Sequence, residues 1–227
     1  MDRFEVKIIA RIHNIYKDKF GIPRQSGLVK DTISEIVFEK EYRNEDALRG
    51  IEEYSHLWLI WQFSESVREN WKPTVRPPRL GGNKRIGVFA TRSPYRPNPI
   101  GLSSVKLVEV KKTKDKGVVL LVKGADLIDR TPIFDIKPYV KYSDCHPDAL
   151  CSFADEFADR KLIVEFEKDV LLKSDSEFLE LIKSTLENDP KPSYHNDPDR
   201  VYTVELESKE IKFKYTEDTI KVIDILY

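Results

Sequence analysis

Between Trp71 and Gly101 the chain carries Pro73, Pro77, Pro78, Pro94, Pro97 and Pro99, interleaved with Gly81, Gly82 and Gly87. Proline has no amide hydrogen and a fixed φ, so this stretch is closed to helix and to a central strand. The glycines admit backbone angles that other residues avoid. The result is a long, stiff loop, and a stiff loop loses little entropy on binding, which suits a ligand clamp. It is also basic. No Asp or Glu falls between Glu69 and Glu109, while Lys72, Arg76, Arg79, Lys84, Arg85, Arg92, Arg96 and Lys106 do. On a chain whose net charge is only -1, such a face can bind phosphates while the rest stays non-adhesive.

Short strands surround this loop. Phe4 to Ile12 alternates apolar with polar, and Ser34 to Phe38 follows it. His56 to Phe63, HLWLIWQF, is apolar on both faces and reads as a buried central strand. Ile86 to Thr91, Ser103 to Val110 and Val118 to Lys123 are further strands, and Asp46 to Tyr54 reads as a short helix. Many short strands in one domain point to a closed or nearly closed barrel. Beyond Asp144 the texture changes. Leu162 to Phe166 reads as a strand, and Glu177 to Glu187 as a helix capped from Ser174-Asp175-Ser176 and stopped at Asp189-Pro190. Arg200 to Leu206, Ile211 to Tyr215 and Ile220 to Leu226 read as three strands. The expectation is a mainly β protein with some α: a barrel core over residues 1–145 and a small α/β extension over residues 146–227.

Length and composition fit this. The 227 residues, 40% hydrophobic and 34% charged, suit one large domain or a core with an appendage. No apolar run approaches the ~20 residues of a membrane span, and the N-terminus reads as a strand, so a cytoplasmic protein is expected. Cys145 and Cys151 are too few for a disulfide scaffold. With His146 they lack a second ligand pair, so no metal is expected. No Gly-rich dinucleotide motif, P-loop, nucleophile elbow or zinc-protease motif occurs.

Three segments concentrate chemistry: GIPRQSGL at Gly21 to Leu28, RPPRLGGNKRIGVFATRSPYRPNPIG at Arg76 to Gly101, and ADLIDRTPIFDIKPY at Ala125 to Tyr139. They hold anion binders in Arg24, Arg92 and Arg96, amides in Gln25 and Asn98, and carboxylates in Asp126, Asp129 and Asp135. Such groups in loops between strands suit a nucleotide-like ligand. Residue chemistry alone stops at a protein that binds a nucleotide or nucleic acid.

The string RPPRLGGNKRIGVFATRSPYRPNPIGLS followed by DLIDRTPIFDIKPY closely resembles the TrmO (TsaA-like) family of tRNA methyltransferases. PRQSGLV, RGIEEYSHLWLI and the C-terminal DPKPSYH at Asp189 to His195 fit the same pattern, in order, along nearly the whole chain. The resemblance implies a single-sheeted β-barrel that binds S-adenosylmethionine, a homodimer, and methylation of N6 on N6-threonylcarbamoyladenosine beside the anticodon of tRNAs such as those for threonine. It implies a cofactor pocket drawn from Pro23, Arg24, Gln25, Ser26, Gly27 and Leu28, from Ser64 and Glu65, from Arg92 and Leu102, and from Lys123, Gly124, Ala125 and Asp126. Ser64, Glu65 and Lys123 match the family by position alone, so their contacts would be backbone ones.

Methyl transfer by in-line displacement needs positioning more than covalent chemistry. The acceptor N6 already bears an acyl-like group, so a hydrogen-bond acceptor at its remaining hydrogen would help. Asn98 and Asp135 are the candidates, Asp135 favoured because a carboxylate also takes the proton; its alternative is a structural pair with Lys137 or an arginine. Arg96 or Arg92 would hold either the threonyl carboxylate of the substrate or the methionine carboxylate of the cofactor. Asp126 would accept from ribose hydroxyls, and Tyr139 would stack on a base or pack in the core. Arg76, Arg79, Lys84 and Arg85 would grip anticodon-arm phosphates. Trp58, Trp61 and His56 read as buried residues of their strand, and Trp71 as a stacking surface. The rival readings are a noncatalytic RNA-binding module and a different nucleotide-handling enzyme, such as a hydrolase, on the same barrel; a demand for a divalent metal would mark the second.

Overall fold

The computed structural model describes residues 4–81, 83–157, 160–188 and 199–227. Six strands make the first sheet: β1 (Ala10–His13), β2 (Ile33–Phe38), β3 (His56–Gln62), β6 (Ile100–Thr113), β7 (Gly117–Lys123) and β8 (Pro132–Pro138). Their order is β1-β2-β7-β6-β3-β8, and β8 pairs back onto β1 at Ala10↔Ile133, so the ring closes into a barrel. A closed ring leaves no free edge. Period-two alternation fills it: Ala10, Ile12, Ile36, Leu57, Leu59, Trp61, Val105, Leu120, Val122 and Ile133 all point inward and are buried.

That alternation corrects the reading of HLWLIWQF as a strand buried on both faces. In β3 only Leu57, Leu59 and Trp61 are buried; Trp58 and Ile60 are half-buried on the outer wall, and His56 is exposed. A barrel wall has one inner face, so an apolar outer face is a covered or interface surface rather than core. Trp58 spends its Nε1–H on Asp144 Oδ2 at 2.7 Å. The exposed His56 ring lies with Nδ1 2.9 Å from Ser55 Oγ.

Three further expectations change. The N-terminal strand begins only at Ala10. Asp46 to Tyr54 forms two 3-10 turns, Glu45–Leu48 and Ile51–Glu53, split by Gly50 in the left-handed region, instead of one helix. Ile86 to Thr91 is a strand only at β5 (Ile86–Gly87), which pairs with β4 (Thr74–Val75) before a 3-10 turn takes over at Val88. The Pro-rich loop thus carries its own two-stranded clip.

After a short helix α1 (Lys141–Asp144), the C-terminal unit has a four-stranded sheet: β9 (Ile163–Phe166), β10 (Tyr202–Leu206), β11 (Lys209–Thr216) and β12 (Thr219–Leu226), ordered β10-β11-β12-β9. Two helices cross over between β9 and β10, α2 (Lys168–Lys173), which periodicity missed, and α3 (Ser176–Leu186). Asp175 caps α3 by accepting from the Phe178 amide at 2.8 Å. Phe178, Ile182 and Leu186 on its inner face pack on Val204, Ile211, Phe213 and Ile220. The Asp189-Pro190 stop, the DPKPSYH segment at 189–195, Gly82 and the side chain of Arg79 lie outside the described residues.

Residues 14–32 link the two units. Asn14 fastens the segment to the barrel: its Nδ2 donates to Leu127 O at 2.8 Å, and its amide donates to Asp129 Oδ1 at 3.1 Å. Lys17 Nζ reaches the same carboxylate at 2.8 Å. Burial alone would push the Asp129 carboxyl up, but Lys17 and the Asn14 amide hold it below the usual carboxylate range. Beyond Asn14, Tyr16 enters the C-terminal core.

Candidate functional site

The three chemistry-bearing segments meet at one end of the barrel. Gln25 accepts a hydrogen bond from Arg92 Nη1 across 67 residues of sequence. The Gly27 amide donates to Gly124 O at 2.9 Å. The Asp126 carboxylate is reached by the backbone of Ser26 and by the field of Arg92. Thus Gln25, Ser26, Gly27, Arg92, Gly124 and Asp126, drawn from three separate segments, form one connected cluster. Pro23 is buried at its root and Leu28 half-buried at its far side. Arg24 is half-buried, and Ala125 is buried beneath Asp126.

Ser103, which sequence reasoning did not single out, holds the cluster from below together with Trp61 and Gly101. Ser103 on β6 donates to Asp126 Oδ1 at 2.5 Å and accepts from Trp61 Nε1 at 2.9 Å. Ser103 faces the barrel interior and is buried. A hydroxyl at an inward position of β6, between Gly101 and Val105, was the available signal. Gly101, two residues before it, is obligatory: a Cβ there would stand 2.3 Å from Trp61 Cε2. The glycine therefore admits the indole that orients Ser103.

Protein surrounds most of Asp126, although part of it stays accessible. That crowding raises its carboxyl above the usual carboxylate range, while Ser103, backbone amides and Arg92 pull the other way. An acid so placed is an acceptor for ligand hydroxyls beside a cation.

The remaining candidates divide. Ser64 and Glu65 lie in a 3-10 turn just after β3, exposed, and the Glu65 carbonyl accepts from Lys19 Nζ, which ties that turn to the root of the 23–28 loop. Lys123 pairs with Asp31 at 3.4 Å. Arg92 is exposed, whereas Arg96 is half-buried and donates from Nη1 to the carbonyls of Thr91 at 2.7 Å and Val88 at 3.2 Å. Arg96 therefore stitches the loop that presents Arg92.

Leu102 and Asp135 sit on the outer wall in one row: Leu102 faces Ile60, and Ile60 faces Asp135. Two strand spacings separate them, roughly 10 Å. Leu102 is 55% exposed and its neighbour Ile100 is 44% exposed, so this wall is apolar and open. Asp135 pairs with Lys137 at 2.8 Å and accepts from the Ile136 amide at 2.9 Å. The hydrogen bond to Asp135 raises the Lys137 pKa. In the next row Lys137 faces Trp58, whose ring is 5.6 Å from that of Tyr139. Tyr139 is thus half-buried on the outer wall, not core. Asn98 is exposed, with its carbonyl accepting from the Ile100 amide at 2.8 Å. A separate shallow groove lined by Glu52, Glu53, Glu109 and Val110 carries the wrong charge for phosphate and none of the candidate cofactor or catalytic residues.

Comparison with known proteins follows the same division of the chain. A family model described as the tRNA-methyltransferase O N-terminal domain matches residues 11–145, and one described as the TrmO C-terminal domain matches residues 160–227. A tRNA (adenine(37)-N6)-methyltransferase of Escherichia coli (strain K12) is 41% identical over 98% of this chain and 97% of its own length. A putative S-adenosylmethionine-dependent methyltransferase, RcsF, of Pseudomonas aeruginosa is 36% identical over 97% of this chain and 96% of its own. The crystal structure of TrmO from Pseudomonas aeruginosa covers 100% of both chains with a TM-score of 0.78 at 30% identity.

Proposed function

The chain belongs to the tRNA-methyltransferase O family, and from that premise we propose how it uses its barrel to methylate tRNA. The chain is an S-adenosylmethionine-dependent tRNA methyltransferase acting on N6 of adenine 37. In the finer reading, that N6 already carries a threonylcarbamoyl group. The observation that carries the assignment of the site is the joining of Gln25, Arg92, Ser26 and Asp126 from three distant segments.

The donor set fits the cofactor. Arg92 offers an exposed guanidinium suited to the methionine carboxylate. Asp126 offers an acceptor for ribose hydroxyls, and the exposed Leu102 a surface for the adenine ring. When bound, S-adenosylmethionine supplies an electrophilic methyl on its sulfonium sulfur. The protein's own part is placement: Pro23 to Leu28 frames the pocket, and Ser103 fixes Asp126. Asp135 accepts the hydrogen on N6 and then its proton, while Lys137 and the Ile136 amide hold the carboxylate in position. Asn98 stands as the second acceptor. Lys72, Arg76, Lys84 and Arg85 contact anticodon-arm phosphates.

A second copy of the chain packs against the outer wall at the rim of the pocket. Its support is the open apolar strip of Ile100, Leu102 and Ile60 beside the site, which a monomer would leave in water. Sedimentation of a fully active monomer would remove the dimer. The reaction places the protein where tRNA is modified, the cytoplasm, and among the described residues no helix is long and apolar enough to cross a membrane. Transfer of tritiated methyl from S-adenosylmethionine to tRNA tests the whole reading: label in threonylcarbamoylated tRNA alone is expected, and label in neither that pool nor an unmodified one would overturn it.

A further inference from the structure

The loop that bears Pro23 to Leu28 is seated on the C-terminal sheet, not on the barrel alone. Tyr16 is buried within the C-terminal core, and Ile15, Phe20 and Ile22 pack against it. The Phe20 ring stacks on Tyr202 at 6.3 Å and 15° and on Phe213 at 6.1 Å and 7°. Gly21 has φ +96, and a Cβ there would lie 2.3 Å from Val204 Cγ2. No side chain fits between loop and sheet at that point, so the backbone at Gly21 rests directly on β10. Pro23, two residues on, is buried, and Gln25 and Ser26 then reach Arg92 and Asp126.

The C-terminal core also holds the other end of the loop. Tyr16 Oη lies 3.2 Å from Thr32 Oγ1, both residues being buried, so the loop leaves and returns through one neck. Burial pushes the Tyr16 hydroxyl up to about 12, so it stays a neutral hydrogen-bond partner at physiological pH. Neck, seat and pocket are therefore in series: sheet, then Tyr16, Phe20 and Gly21, then the residues facing the ligand.

We propose that the C-terminal sheet is a positioning element for cofactor binding, with Phe20 and Gly21 as the positioning residues that transmit its rigidity to Gln25 and Ser26. The inference rests on the reading of residues 23–28 as a cofactor loop. A loop ordered in advance loses less entropy on binding than one that orders with the ligand. Freed from its seat, the same loop would still close on the cofactor but at lower affinity. The cost therefore falls on cofactor affinity and not on chemistry.

Phe20→Ala in the full-length protein tests this, with calorimetric binding of S-adenosylmethionine alone and steady-state kinetics on tRNA. The ring belongs to the loop and is only half-buried, so the sheet keeps its own core. The expected result is an affinity for S-adenosylmethionine weakened about tenfold, its KM raised in step, and kcat at saturating cofactor and tRNA affinity little changed. Phe20→Leu, which keeps an apolar group on Tyr202 and Phe213, recovers most of the loss. Equal affinity in wild type and Phe20→Ala overturns the proposal, as does a drop in kcat without a change in cofactor affinity. If Phe20→Ala does not fold, Phe20→Leu and Gly21→Ala decide on the same readouts: affinity lowered only in Gly21→Ala supports the seat, and affinity unchanged in both overturns it. A wild type that binds no S-adenosylmethionine removes the cofactor reading, and this inference with it.

Discussion

Ser103 Oγ stands 2.5 Å from Asp126 Oδ1 and accepts the indole hydrogen of Trp61 at 2.9 Å, so a barrel-core tryptophan orients the carboxylate of the loop cluster. Crowding raises the Asp126 carboxyl, so its ionised, hydroxyl-accepting form is full only above that raised pKa and is lost as pH falls through it. Cofactor affinity therefore falls on acidification earlier than an ordinary aspartate would dictate. Ser103→Ala removes a hydrogen bond that favours the ionised form, moving the acid limb to higher pH. It also leaves the Trp61 donor unsatisfied, at a cost of about 1–3 kcal/mol in stability. Calorimetry across a pH series checks the limb, and Asp126→Asn abolishes it.

Arg92 and Arg96 separate in the same way by geometry. Arg92→Ala removes the exposed cation and weakens S-adenosylmethionine binding by about 10–100-fold, the worth of a charge-assisted hydrogen bond. Arg92→Lys recovers only part, since an ammonium lacks the planar fork. Arg96→Ala instead unstitches the loop from the Thr91 and Val88 carbonyls. It lowers the thermal midpoint and weakens cofactor and tRNA binding together.

Asp135→Asn keeps the shape of the side chain and its contact with the Ile136 amide but loses the base. Turnover falls by about 100-fold or more, the usual worth of a positioned proton acceptor, while both binding constants hold. Full turnover in this variant would move the role to Asn98.

Lys84 and Arg85 are exposed, and the proposed reading gives them phosphate contacts outside the cofactor cluster. Lys84→Ala and Arg85→Ala each reduce the slope of log tRNA affinity against log salt by about 0.9. S-adenosylmethionine affinity is unchanged in both. Filter binding over a salt series reads the slopes.

Period-two alternation made most barrel strands legible, and α3 was legible from Phe178, Ile182 and Leu186 with its Asp175 cap. The outer wall was not. HLWLIWQF is apolar throughout, and sequence cannot tell a strand buried on both faces from one whose second face awaits a partner, so Trp58 and His56 were misplaced. The strand β8 is hidden in the sequence because Pro132 and Pro138 bracket it, and proline disfavours a central strand. Of the site, Gln25, Arg92 and Asp126 were visible as residue types in motifs. Their supports, Ser103, Trp61 and Gly101, depend on a cross-strand register no local pattern carries. The seat of Phe20 and Gly21 on β10 joins residues more than 180 apart in sequence.

Mass spectrometry of nucleosides from tRNA incubated with the protein and isotopically labelled S-adenosylmethionine tests the central claim most directly. The account predicts one labelled product, threonylcarbamoyladenosine methylated on N6, from the position beside the anticodon. Label on any other nucleoside, or none in tRNA that carries the threonylcarbamoyl group, would contradict it.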